Sequence, residues 1–200
     1  MRLKMAALMI TLVLVLSACT GGRQTSPEQF VRQHYSGITA YNARGEITAD
    51  YGDKVYRFAV AISGDLTSGQ LEVTAPASVA GTAFRWVDGR GVVSYGDVTL
   101  ETGGLSPDGL SPVDAMPVVL NALVGGTLVT AGEEQLEGEK VIFLELTPVG
   151  FSPEQSTVLV WVEAESCALR RWEITWEGTT VVSCQIAEYS DTTQVDTMEG

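Results

Sequence analysis

Apolar residues fall along this chain in one continuous run, two short helical patterns and a long series of alternations. The run is Met5 to Leu16, broken only by Thr11 and preceded by Arg2 and Lys4. A basic start before an apolar stretch of this length predicts a cleaved export signal rather than a spanning helix. The first helical pattern begins at Ser26-Pro27-Glu28-Gln29. An N-cap serine, a proline at the first helical position and a glutamine three residues past the cap predict a short helix to about Tyr35. Phe30, Val31, His34 and Tyr35 share its apolar face. The second pattern is Val118 to Val124, where only Asn121 is polar. Such a segment is buried on more than one side or covers something apolar. Ser111-Pro112 offers it a start, but Pro117 would remove the bond to residue 113 and moves the regular helix one turn on.

Elsewhere the period is two. Val55 to Ile62 alternates Tyr56, Phe58, Val60 and Ile62 with small or polar residues, and Gln70 to Thr74 alternates around Leu71 and Val73. Phe84 and Trp86 lead into the turn signal Asp88-Gly89; Val92, Val93 and Tyr95 return to a second turn at Gly96-Asp97, and Val98 to Glu101 forms a further short strand. Gly103 to Pro112 interrupts the meander. Strands then resume at Thr127–Thr130, Lys140–Thr147, Thr157–Glu163, Leu169–Trp176 and Thr179–Glu188, with Gly132–Gly138 and Pro148–Pro153 as connections. Short strands at this spacing favour antiparallel neighbours. The expected organisation is a signal over 1–18, a tether over 19–26, a single mainly β domain over 27–190 and a disordered acidic tail over 191–200.

Charge narrows the partners. The segment 1–18 holds two of the 12 basic residues and none of the 25 acidic ones, so residues 19–200 carry a formal charge of −15. Nucleic acid is excluded as a partner by that sign, and so is a polybasic grip on anionic lipid. Cys167 and Cys184 invite a disulfide, yet a two-residue turn at Glu177-Gly178 would set 171 opposite 184 and 167 opposite 188. The two thiols are therefore expected to be free and buried.

No chemistry of an enzyme assembles from the residues. His34 is the single histidine, no G-x-S-x-G elbow or phosphate-binding glycine motif occurs, and two cysteines without C-x-x-C spacing make no zinc site. Asp50 and Asp53 around Gly52 lack the ligand spacing of a calcium loop. No catalytic, cofactor or metal residue is expected. What remains is the apolar inventory of the strands, which either packs into a core or, taken together, lines a cavity for an apolar ligand. The candidate lining is Tyr56, Phe58, Val60, Phe84, Trp86, Leu120, Phe143 and Trp161.

Two resemblances extend this reading. Leu16-Ser17-Ala18-Cys19 resembles the lipobox of bacterial lipoproteins, which implies that Cys19 becomes the first mature residue and carries diacylglycerol. Thr20 to Ser26 would tether the domain, with a reach on the order of 15 Å, to the extracytoplasmic face of a membrane. That membrane would be the outer one if the organism has two. The order of elements is similar to the LolA/LolB lipoprotein-carrier superfamily and its relatives, the mycobacterial glycolipid-carrying lipoproteins and the RseB-like N-terminal domains. The resemblance rests on SPEQFVRQHYSGI, KVYRFAVAI, QLEVTAP, AGTAFRWVDGRGVVSYGDVTL, SPVDAMPVVLNALVGG and LRRWEITWEGTTVVSCQIAEY. It implies an α+β, mainly β fold: a curved antiparallel sheet, an incomplete barrel, with helices covering its concave face. It also implies an anchored, non-enzymatic protein that binds lipid or lipoprotein acyl chains. The alternative is an envelope sensing module with a solid core and a protein partner.

Overall fold

A computed structural model describes residues 26–194; residues 1–25, which hold the expected signal, Cys19 and most of the expected tether, and the last six residues lie outside it. Helix α1 (Pro27–Ser36) is followed by six strands: β1 (Ile38–Asp50), β2 (Val55–Gly64), β3 (Ser68–Ala75), β4 (Ala83–Val87), β5 (Arg90–Tyr95) and β6 (Val98–Gly104). Helix α2 (Ala115–Gly125) leads to β7 (Thr127–Leu136), β8 (Glu139–Thr147), β9 (Ser156–Glu163), β10 (Leu169–Trp176) and β11 (Thr179–Thr193). All the strands form one antiparallel sheet in the order β6-β5-β4-β3-β2-β1-β11-β10-β9-β8-β7. It is therefore two meanders, joined by the long β1–β11 pair. The sheet does not close, and β6 and β7 are its edges. The fold is mainly β, as expected, with two helices among the described residues, on one face.

Local chemistry explains the element ends. Ser26 caps α1 by accepting from the Gln29 amide at 3.2 Å, while the Gln29 side chain accepts from the Ser26 amide at 3.4 Å. The capping box is thus complete. Val31 and Tyr35 are fully buried, whereas Phe30 is 41% exposed, so the apolar stripe is narrower than its sequence suggests. Pro117 is the third residue of α2 and falls in the first turn, where an amide has no partner within the helix. Asp88-Gly89, Glu137-Gly138 and Glu177-Gly178 all have positive φ at both residues, the conformation of tight hairpin turns.

Three expectations need correction. Gly132–Gly138 is not a connection, because β7 pairs with β8 from Thr127↔Thr147 through Leu136↔Glu139, leaving only Glu137-Gly138 as the turn. Ladder bonds with a strong partner strand override the weak strand preference of its Gly and Glu residues. The tail does not begin at 191: β11 continues to Thr193, with Asp191 opposite Tyr41 and hydrogen-bonded to His34 at 2.8 Å. The β10–β11 hairpin contains a bulge between Ile174 and Thr175, so Cys184 stands opposite Trp172 rather than residue 171.

Both described cysteines are free and buried. Burial pushes the Cys184 thiol up to about 12, with a contribution from Glu46, and the Cys167 thiol up to about 11, with a contribution from Asp191. A raised thiol pKa means almost no thiolate at neutral pH, and the thiolate is the reactive form. Neither cysteine should react with an aromatic disulfide reagent at pH 8 in the folded protein, and both should react once denaturant is added. Fast reaction of either thiol in native protein would contradict the packing.

Candidate functional site: an apolar pocket on the open half of the inner face

The helices divide the inner face of the sheet. Helix α2 lies over β8, β9 and β10, and α1 packs on α2, β7 and β8. Arg32 ties the two helices together. Its guanidinium donates to the carbonyls of Leu123 and Val124 at 3.4 Å and of Gly126 at 2.7 Å, and pairs with Glu28 at 2.7 Å. These are the terminal carbonyls of α2, which have no partner within the helix, and a cation suits that end of the helix dipole. Beneath the helices the space is filled. Met116, Val119, Leu120 and Leu123 are at most 1% exposed, and so are Leu144, Val160, Trp172 and Ile174 below them.

Among the described residues, neither helix packs on the other half of the inner face as it does on β7–β10. The loop between β6 and α2 reaches that half with Pro112 and Val113. There the structure leaves an apolar pocket of about 220 Å³. Ile47, Phe58, Val60, Leu71 and Val73 form its floor on β1, β2 and β3, and Val79, Thr82, Pro112 and Val113 form its walls. Register explains the floor: Phe58 faces Ile47 and Val60 faces Val73, while Leu71 is opposite Ile62, so all point to the same side.

Of the eight residues proposed from sequence as a cavity lining, Phe58 and Val60 reach this pocket. Tyr56 is on the same face at the open end of β2, 43% exposed and stacked 6.4 Å from Phe58. Phe84 and Trp86 point inward but are at most 3% exposed. Their rings lie over Gly91 and Gly69, where no side chain competes for the space. Leu120 belongs to the packed half. Phe143 and Trp161 are on the outer face, because Ile142, Leu144, Val160 and Val162 occupy the inner positions of β8 and β9. Outside, Trp161 packs against Phe143 with the rings tilted and 5.1 Å apart, lies under the Arg171 guanidinium at 5.1 Å and donates to Glu134 at 3.0 Å.

The lining residues that sequence reasoning missed divide into two kinds. Ile47, Leu71 and Val73 lie on strands in the period-two part of the chain and needed only to be placed beside Phe58 and Val60. Val79, Thr82, Pro112 and Val113 come from connections, for which no periodicity exists. Among the described residues no three His, Cys, Asp or Glu side chains stand together as a possible metal site. No helix among them is long and apolar enough to cross a membrane.

No family model and no curated protein matches the chain. Solved structures do. An uncharacterized conserved protein from Thermus thermophilus is 12% identical with a TM-score of 0.51, over 86% of this chain and 90% of that one. A DUF1329 family protein from Desulfovibrio piger is 14% identical with a TM-score of 0.50, over 85% and 93%. A LolA superfamily protein from Nitrosomonas europaea matches at 14% identity and a TM-score of 0.44, over 84% and 95%. At these identities the likeness is one of fold.

Proposed function

We propose that this protein is a non-enzymatic binding protein of the cell envelope, held to a membrane by acylated Cys19, that takes one apolar chain into the pocket between β1–β3 and Pro112-Val113. The apolar, open-sided pocket of about 220 Å³ is the observation that carries the reading. Its size limits the ligand. Sites that enclose a drug-sized molecule measure about 300–1,000 Å³, so this one admits the end of a single acyl chain, with the remainder lying along the uncovered inner face. The filled space beneath α1 and α2 leaves no room for a whole lipid there.

Fluorescent fatty acid binding tests this on protein carrying Cys19→Ser, which keeps the protein's own acyl chains out of the assay. Saturable binding is expected. Val73→Trp, which places an indole in the pocket, should weaken it by at least about tenfold, equivalent to roughly 1.4 kcal/mol. Val129→Trp, on an exposed position of β7 far from the pocket, should leave it unchanged. No binding, or equal affinity in the Val73→Trp variant, would remove the pocket from consideration.

A further inference from the structure

A row of apolar side chains crosses the inner face from β2 to β6. Ile62, Leu71, Phe84, Val93 and Leu100 stand opposite one another in successive pairs. The first three are at most 2% exposed, Val93 is packed against them, and Leu100 is 64% exposed. Beside Leu100, Val98 is 70% exposed and its partner Tyr95 is 54% exposed. The row therefore ends uncovered, at the edge of the sheet.

That edge is also open along its backbone. Among the described residues strand β6 has β5 as its one neighbour, so every second residue, including Thr99 and Glu101, turns its amide and carbonyl away from the sheet. Natural edges are usually blunted by charge, proline or a covering element. The opposite edge follows that rule: β7 carries Glu133 and Glu134, and α1 packs against it. Strand β6 reads VTLETGG, with one charge and no proline.

These two features together define the occupant. An acyl chain could cover Leu100 and Val98 but has no groups for the free backbone ladder. An extended polypeptide supplies both. The formal charge of −13 over the whole sequence repels a second copy of the chain and attracts a basic segment. We propose that β6 accepts an extended, basic segment of another protein as a twelfth strand, whose alternate apolar residues continue the row beyond Leu100.

Hydrogen exchange on the full chain carrying Cys19→Ser tests this with synthetic octapeptides. A peptide of four Lys-Val repeats should slow exchange of the Thr99 and Glu101 amides by at least about tenfold, while the covered strands are unchanged. Four Lys-Ser repeats, with the charge but no apolar face, should not, and neither should four Glu-Val repeats. Thr99→Pro removes one outward amide without touching the β5 ladder, a position where an edge strand tolerates proline. It should abolish the protection. Leu100→Lys leaves the backbone intact and should weaken binding by at least about tenfold, or roughly 1.4 kcal/mol. Equal slowing by the Lys-Ser peptide would overturn the proposal, as would protection that survives both substitutions or a dimer formed through β6 without peptide. Loss of fatty acid binding alone leaves this edge untouched, so the two readings fail separately.

Discussion

Trp172→Ala is expected to lower stability by about 3–5 kcal/mol, the range for deleting a large aromatic side chain from a packed core. Trp172 is fully buried on the inner face of β10, opposite Val160 and Cys184 and beneath the helix layer. Domain stabilities are about 5–15 kcal/mol, so this one change removes about a fifth or more of the total. Its indole nitrogen, however, is buried without a hydrogen-bond partner among the described residues. Leaving such a donor unpaired costs about 1–3 kcal/mol. Trp172→Phe loses some volume but also removes that donor. The two effects oppose each other, and its net loss should be no more than about 1 kcal/mol by the same magnitudes. Urea titrations with an unchanged slope would measure both variants. A small loss for Trp172→Ala would mean that the space under α2 is not close-packed, and the whole-lipid reading would return.

Gly45→Ala is the second large effect, expected to cost about 1–3 kcal/mol or more through overpacking. A β-carbon there would overlap the Gln185 carbonyl oxygen and stand 3.1 Å from the Ile186 α-carbon. Both are backbone atoms, which cannot rotate away. Gly45 lies at the register shift between β1 and β11, the pair that joins the two meanders. Gly132→Ala is the matched control, since nothing lies within 4 Å of the position its β-carbon would take. It should change stability by less than about 0.5 kcal/mol. Thermal unfolding of the two variants separates steric overlap at the joint from the general effect of replacing glycine in a strand.

Legibility along the sequence tracked the range of the forces involved. Ser26-Pro27-Glu28-Gln29 announced α1 because every partner in a capping box lies within three residues. Asp88-Gly89 and Glu177-Gly178 announced turns because a tight hairpin needs positive φ at both positions. The length of β7 was hidden, since Gly132 and Glu133 are weak strand formers held in place by Phe143 and Ile142 on the neighbouring strand. The bulge at Ile174/Thr175 was equally silent, and it moved Cys184 by one partner.

The candidate site shows the same division. Phe143 and Trp161 look like cavity residues because aromatic side chains on strands are normally core. Val141-Ile142-Phe143-Leu144, however, is apolar at every position, so alternation cannot say which side of β8 faces the helices. A one-residue change of register would have exchanged Phe143 for Ile142 on the inner face.

By itself, the sequence determined the helix starts, the tight turns, the antiparallel meander and the acidic balance, because caps, φ preferences and period-two patterning act between residues close along the chain. Only the tertiary structure decided which half of the sheet the helices cover, that Pro112-Val113 closes a small pocket with β1–β3, and that β6 rather than β7 remains an open edge. Those outcomes depend on pairings such as Arg32 with Gly126 and Ile47 with Cys184, made between residues far apart in the chain. Such contacts leave no periodic trace in a sequence.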